Sequence, residues 1–387
     1  MDSGLVDQQK GAESSASDTT LSAQQFYQHD PLLVLLKDKW HLNDFWVIAG
    51  VMVPPGGVYL FWWFWGEYVA KVHFWLLGDT VGALLQTLVC WPLLFLIYLL
   101  LPASIAGLFN TLSANGVIGE RRKDRPGSPS YEAFLQQVVA WTDSSWWTAA
   151  ALTLVGLYLF FRLVLIDPHL ASPVPFWLRA VANIVFSPLL YIEFLSIARL
   201  VLALVFTNWL FYTFTIQIKP LHPDGSGGLG ALGRLLWISV LTMFWDALFL
   251  GTVIISIAKS LFSPFEMVLL AAIYVVLTPS LLIGWLVFPH RVMVRARDET
   301  LQPLADEFQQ ALMQSLSSAE YDMRTIVAGT RRLAALKQRY DLVCDTFPTW
   351  PLKINTVSRL VVTALLPLML PLIASLISLV SHALGLP

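Results

Sequence analysis

From position 45 onward the chain is a series of long apolar runs separated by short polar breaks. A bilayer core needs about 20 apolar residues per helix. By that measure seven spans are predicted, at 45–65, 81–109, 146–166, 175–218, 235–257, 264–288 and 357–379. The first is interrupted by Pro54-Pro55-Gly56-Gly57 and is expected to be broken, kinked or re-entrant. The fourth contains Pro188 and no obvious turn. It is expected as one long tilted helix whose inner end leaves the membrane.

Two polar stretches keep a helical period. Residues 131–141 read as a short amphipathic helix on the membrane surface. Between 291 and 347, Leu301, Leu304, Phe308, Leu312 and Leu316 make one stripe, and Ile326, Leu333, Leu336, Tyr340 and Val343 make another. Each stripe is one face of an amphipathic helix, so an antiparallel hairpin is expected. It is either a connector packed on its own protein or a surface for oligomerisation or partner docking. The expected fold class is therefore all-α: a polytopic membrane protein with about seven transmembrane helices and a cytoplasmic amphipathic helical hairpin. The expected divisions are a disordered polar N-terminus (1–44), a six-span domain (45–289), the hairpin (290–355), and a last span with a short outer tail (356–387).

Composition agrees with the pattern. Hydrophobic residues make up 56% of the 387, charged residues 13%, and the mean hydropathy is +0.64. A net charge of -2 excludes a broadly basic nucleic-acid binder. Two cysteines exclude a disulfide scaffold or thiolate metal cluster. No HExxH or GxSxG motif is present, so no enzyme activity, metal site or cofactor is expected. The Trp-rich clusters at 61–65 and 146–147 are read as an aromatic belt.

Charge also orients the chain. With the N-terminus inside, 18 of the 24 Lys and Arg fall in inner segments: three before the first span, four in 121–125, Lys219 and Arg234, and nine in 291–353. That asymmetry predicts a cytoplasmic N-terminus.

Two groups of residues carry candidate chemistry. Glu193, Arg199 and Asp246 lie within predicted spans, where an ionisable side chain costs roughly 2.5–3.5 kcal/mol on insertion scales. Arg199 is expected to pair with Asp246 or Glu193. Such a group is either a structural ion pair or part of an ion or proton pathway. The second group is the loop between the fourth and fifth spans, with Lys219, His222, Asp224, Gly225, Gly227, Gly228 and Arg234. Glycine-rich backbone can aim several N–H groups at one point and bind an anion. The alternative is a tight turn packed on the hairpin.

The string LHPDGSGGLG (221–230), with MVRARDETLQPLADEF (293–308) and TWP (349–351), resembles uncharacterised bacterial multi-pass membrane proteins over roughly residues 190–370. That resemblance implies a bacterial inner membrane and no specific activity. The functional expectation is an oligomeric channel or pore-forming transport protein, gated by a cytoplasmic protein or small anionic ligand. The alternative is a membrane sensor or scaffold that signals through the hairpin and the Gly-rich loop without transport. The lipid bilayer and a second copy of the chain are the expected partners.

Overall fold

The structure, a computed structural model, describes residues 20–70, 85–121, 129–166, 168, 175–219, 222–257, 264–318, 323–347, 359, 362 and 363. It is an all-α polytopic membrane protein. Six helices among the described residues are long and apolar enough to cross a membrane. The seventh predicted span, 357–379, and the 349–351 turn before it lie outside the described residues but for positions 359, 362 and 363, as does the tail before residue 20.

The chain enters through a single 3-10 turn, Ala23–Phe26. Helix α1 follows, Pro31–Leu33 running on as a π turn, Val34–Lys39. Asp30 and Pro31 start it for ordinary reasons. The aspartate accepts from the backbone N–H of Leu32 and Leu33, and proline has no N–H to lose at a first position. This corrects the expectation of a disordered tail to residue 44. Phe26 and Leu33 are fully buried in the main core, and Leu21 exchanges two hydrogen bonds with the Asn110 side chain.

The first span is two helices, α2 (Asp44–Val51) and α3 (Val53–Phe64), joined at Met52. Pro54 and Pro55 fall in the first turn of α3, where a missing N–H is harmless. The expected break is therefore real but sits just before the prolines, and the segment stays helical. Next come α4, Gln86–Cys90 in π form and Trp91–Ala114 in α form, and the strand β1 (Ile118–Arg121). Helix α5 (Tyr131–Thr142) is capped by Ser130 and α6 (Ser145–Phe160) by Ser144. Phe134, Leu135 and Val138 of α5 are buried, so this amphipathic helix packs on protein.

Helix α7 (Phe176–Thr213) is the single long helix expected from the fourth run, and the short strand β2 (Phe214–Ile216) follows it. β1 and β2 pair antiparallel, Ile118 opposite Ile216 and Arg121 opposite Phe214, with a register shift between. Helix α8 (Ala231–Ile257) lies at the centre, packed against α4 and α9. Helix α9 (Pro264–Ser318) runs 55 residues, about 82 Å at 1.5 Å per residue. It crosses the membrane and continues well beyond it. Helix α10 (Met323–Thr346) folds back along that extension.

The hairpin register is readable from single contacts. Gly329 meets Ser315, Arg332 meets Glu307 at 3.7 Å, and Arg297 bonds Cys344. Residue numbers rise on one helix as they fall on the other, as in an antiparallel pair.

The membrane slab is marked by aromatic residues. Trp40, Trp46, Trp141 and Trp146 are exposed at the hairpin end of the spans. Phe61, Trp63, Phe64 and Trp177 are exposed at the other, where Phe61 and Trp65 pack edge-on against Trp177. Between these levels α6 and α9 expose Leu152, Leu154, Leu157, Leu269, Ile273 and Val276, which is the surface lipid solvates.

Candidate functional site

The strongest polar cluster inside the bundle is built on a residue outside every predicted span. Asp30 is 1% exposed and Arg199 of α7 is 3% exposed. Arg199 Nη2 donates to Asp30 Oδ2 at 2.8 Å. The Tyr98 hydroxyl of α4 donates to the same oxygen at 2.6 Å, and the Tyr191 hydroxyl of α7 to Oδ1 at 3.1 Å. The Arg199 guanidinium also lies 5.7 Å from the centre of the Tyr98 ring, within cation–π range. One carboxylate thus caps α1, neutralises Arg199 and joins α1 to α4 and α7.

The neighbouring residue extends the clasp. His29 Nδ1 lies 2.8 Å from Asp143 Oδ2, the His29 backbone N–H donates to Asp143 Oδ1 at 3.1 Å, and Thr148 Oγ1 donates to the His29 carbonyl at 3.1 Å.

Arg199 therefore does not pair with Glu193 or Asp246, contrary to the sequence expectation. Glu193 lies six residues before Arg199 on α7, about 9 Å along the axis. Its side chain and that of Asp246 on α8 are half-buried and close enough for each charge to act on the other. Tyr274 of α9 is also within reach of the Asp246 charge and adjoins Thr278. Beside Asp246, the Trp245 indole donates to the Cys90 carbonyl at 2.6 Å. The bundle thus holds two layers: a neutralised Asp30–Arg199 layer and a layer of two acids. A separate chain of polar contacts, Tyr59 to Gln86 to Thr252, ties α3 and α4 to α8.

The Gly-rich loop is closed on itself. Asp224 accepts from the backbone N–H of Ser226 at 2.8 Å, Gly228 at 3.1 Å and Gly230 at 2.9 Å. His222 Nδ1 sits 2.9 Å from the same carboxylate. Partial burial pushes the Asp224 carboxyl up, but the three N–H bonds and His222 outweigh it and hold the group below the ordinary carboxylate range. The N–H groups that sequence reasoning offered to a bound anion are thus occupied by the loop's own anion.

Gly225, Gly227 and Gly228 have φ of 65°, 66° and 94°, which other residues rarely adopt. At Gly228 a Cβ would also meet Val117 Cγ2 at 2.5 Å. That close approach docks the loop on the end of α4. Asn115 Nδ2 donates to the Gly228 carbonyl at 2.9 Å, and Lys219 Nζ to the Asn115 carbonyl at 2.5 Å. Arg234 points at Gly107 of α4. Lys219 and Arg234 are thus drawn to α4.

Among the described residues no three His, Cys, Asp or Glu side chains are grouped to hold a metal ion. Compared with protein-family models, curated proteins and solved structures, the chain matches none of them. What can be inferred about activity therefore rests on the site itself.

Asp30 was legible in part. An Asp-Pro step ahead of Leu32, Leu33, Leu35 and Leu36 is a helix start with an apolar face. The polar run before it concealed that signal.

Proposed function

We propose that the protein is an oligomeric channel or pore-forming transporter that passes a proton or small cation along the layer of Glu193 and Asp246. The observation that carries this reading is the presence of two half-buried carboxyl groups, Glu193 of α7 and Asp246 of α8, in the membrane-spanning bundle, with Arg199 committed elsewhere. Helix packing alone gives no reason to place two acids together in hydrocarbon, where each is costly. A proton shared between them, or a cation bound by them, removes that cost. Arg199 does not supply the missing charge, because Asp30 neutralises it.

The same reading places the chain in a bacterial inner membrane with its N-terminus and hairpin in the cytoplasm. Its supports are the 18 of 24 basic residues in segments of one side and the resemblance of the 221–230 loop to bacterial proteins. The reading takes no enzymatic step and no cofactor.

Purified protein in sealed liposomes should carry proton or alkali-cation flux under an imposed gradient. Glu193→Gln and Asp246→Asn should each lower it by at least about tenfold, as expected where a carboxylate is an obligatory relay. Flux that is absent in the wild type, or unchanged in both well-folded variants, overturns the proposal.

A second reading has its own observation. The hairpin extends far beyond the bundle and exposes most of its surface, as a docking element of a sensor or scaffold does. Normal partner signalling by the two flux-dead variants would favour it.

A further inference from the structure

The hairpin is electrically divided. Residues 298–318 of α9 carry Asp298, Glu299, Asp306 and Glu307 and no lysine or arginine. Residues 323–340 of α10 carry Arg324, Arg331, Arg332, Lys337 and Arg339 and no aspartate or glutamate. Over these stretches one helix is acidic and its antiparallel neighbour basic; nearer the membrane the signs reverse, with Arg291, Arg295 and Arg297 on α9 and Asp341 and Asp345 on α10. Arg332 and Glu307 face each other across the seam at 3.7 Å. Asp306, Arg331, Lys337 and Arg339 are exposed to solvent.

The hairpin is also thinly packed. Among its described residues from 301 onward, Leu301, Ala311, Leu336 and Phe347 are buried. Leu312, Met313, Val327, Tyr340 and Leu342 remain exposed. Two helices bury one narrow seam, whereas four make a core.

We propose that the hairpin is a self-recognition module. Two copies of the chain in one membrane bring their hairpins together as an up-down-up-down four-helix bundle, the acidic helix of each against the basic helix of the other. The geometry follows from the anchoring. Copies in the same membrane carry their hairpins in the same direction, related by a two-fold axis along the membrane normal. In that arrangement each acidic α9 extension, running away from the membrane, gains a second antiparallel basic neighbour.

A hairpin whose two helices carry opposite charge at each level is complementary to itself under this symmetry. It needs no partner of other composition. The inference gives the oligomeric part of the proposed function a specific interface and rests on that part alone.

An exchange variant tests it on the full-length protein. Asp298, Asp306 and Glu307 become Lys while Arg331, Arg332 and Lys337 become Glu. Each hairpin then keeps opposite charges on its two helices, and so does a pair of variant copies. A mixed pair sets like against like.

Wild type and variant, differently tagged and co-expressed, are extracted and captured at low salt. Same-type pairs should exceed mixed pairs by about tenfold, and roughly 1 M salt should erase the preference, since exposed charges are screened over a few ångströms there. Random mixing at low salt overturns the proposal, because oligomers would then be held elsewhere. Recovery of single copies only, for both forms, overturns it as well. Liposome flux is read separately: sorting without flux removes the transport reading and leaves the hairpin module standing.

Discussion

The Asp30 carboxylate satisfies an arginine, two tyrosine hydroxyls and two helical N–H groups at once. Removing one partner of a buried ion pair typically costs about 3–5 kcal/mol, because the other charge stays buried and unpaired. Asp30→Ala should therefore lower the thermal midpoint in detergent far more than Lys37→Ala, whose ion pair with Asp44 is half exposed. Equal midpoints would show that the N-terminal clasp is not structural.

Asp224 makes a pH prediction with a definite sign. Its carboxyl is held below the ordinary range in the folded loop. Its contribution is thus complete above the ordinary aspartate value of about 3.9 and is lost as pH falls through the lower folded value. Hydrogen exchange at residues 222–230, corrected for intrinsic rates, should stay slow at pH 5 and quicken only once the pH has fallen below the ordinary aspartate value. Fast exchange at pH 5 would mean that the carboxylate does not hold the loop.

At the scale of elements, helix contacts depend on a few small residues. Gly284 of α9 faces Leu204 of α7 so closely that a Cβ would collide with the leucine side chain. Small residues let transmembrane helices approach in this way. Gly284→Leu should separate α7 from α9 and destabilise the fold by roughly 1–3 kcal/mol, the usual range for overpacking. Combining it with Leu204→Ala should restore much of the loss. A double variant no better than the single one would place the strain elsewhere.

The helices themselves were largely readable. Apolar runs gave six spans whose cores match the observed ones, and the period of 301–316 and 326–343 gave the hairpin. The meeting of α7 with α9 through Gly284 was not readable, since a lone glycine in an apolar run carries no sign of what it faces.

For the molecule as a whole, the division of charge between the two faces supports the proposed orientation, with the hairpin in the cytoplasm. Cys344 lies on the hairpin, half-buried, and Cys90 is buried in the bundle. An impermeant maleimide should therefore label wild-type protein in inside-out bacterial vesicles, at Cys344, and leave right-side-out vesicles unlabelled. Labelling confined to right-side-out vesicles would reverse the orientation. Cys344→Ser should abolish labelling in either case.

By itself the sequence determined what lies in lipid and what does not. Long apolar runs cannot be solvated by water, and helical periodicity survives in a linear string. It also singled out Glu193, Arg199 and Asp246 as charges in costly places. The tertiary structure decided which of them meet. Arg199 goes to Asp30, 169 residues away in the chain, and the two acids are left without it. It likewise decided that the glycine loop closes around Asp224, because only the folded backbone brings three N–H groups to one carboxylate. Solvation is a property of local composition and can be read along a chain. Pairing of charges depends on distances in space, which packing alone sets.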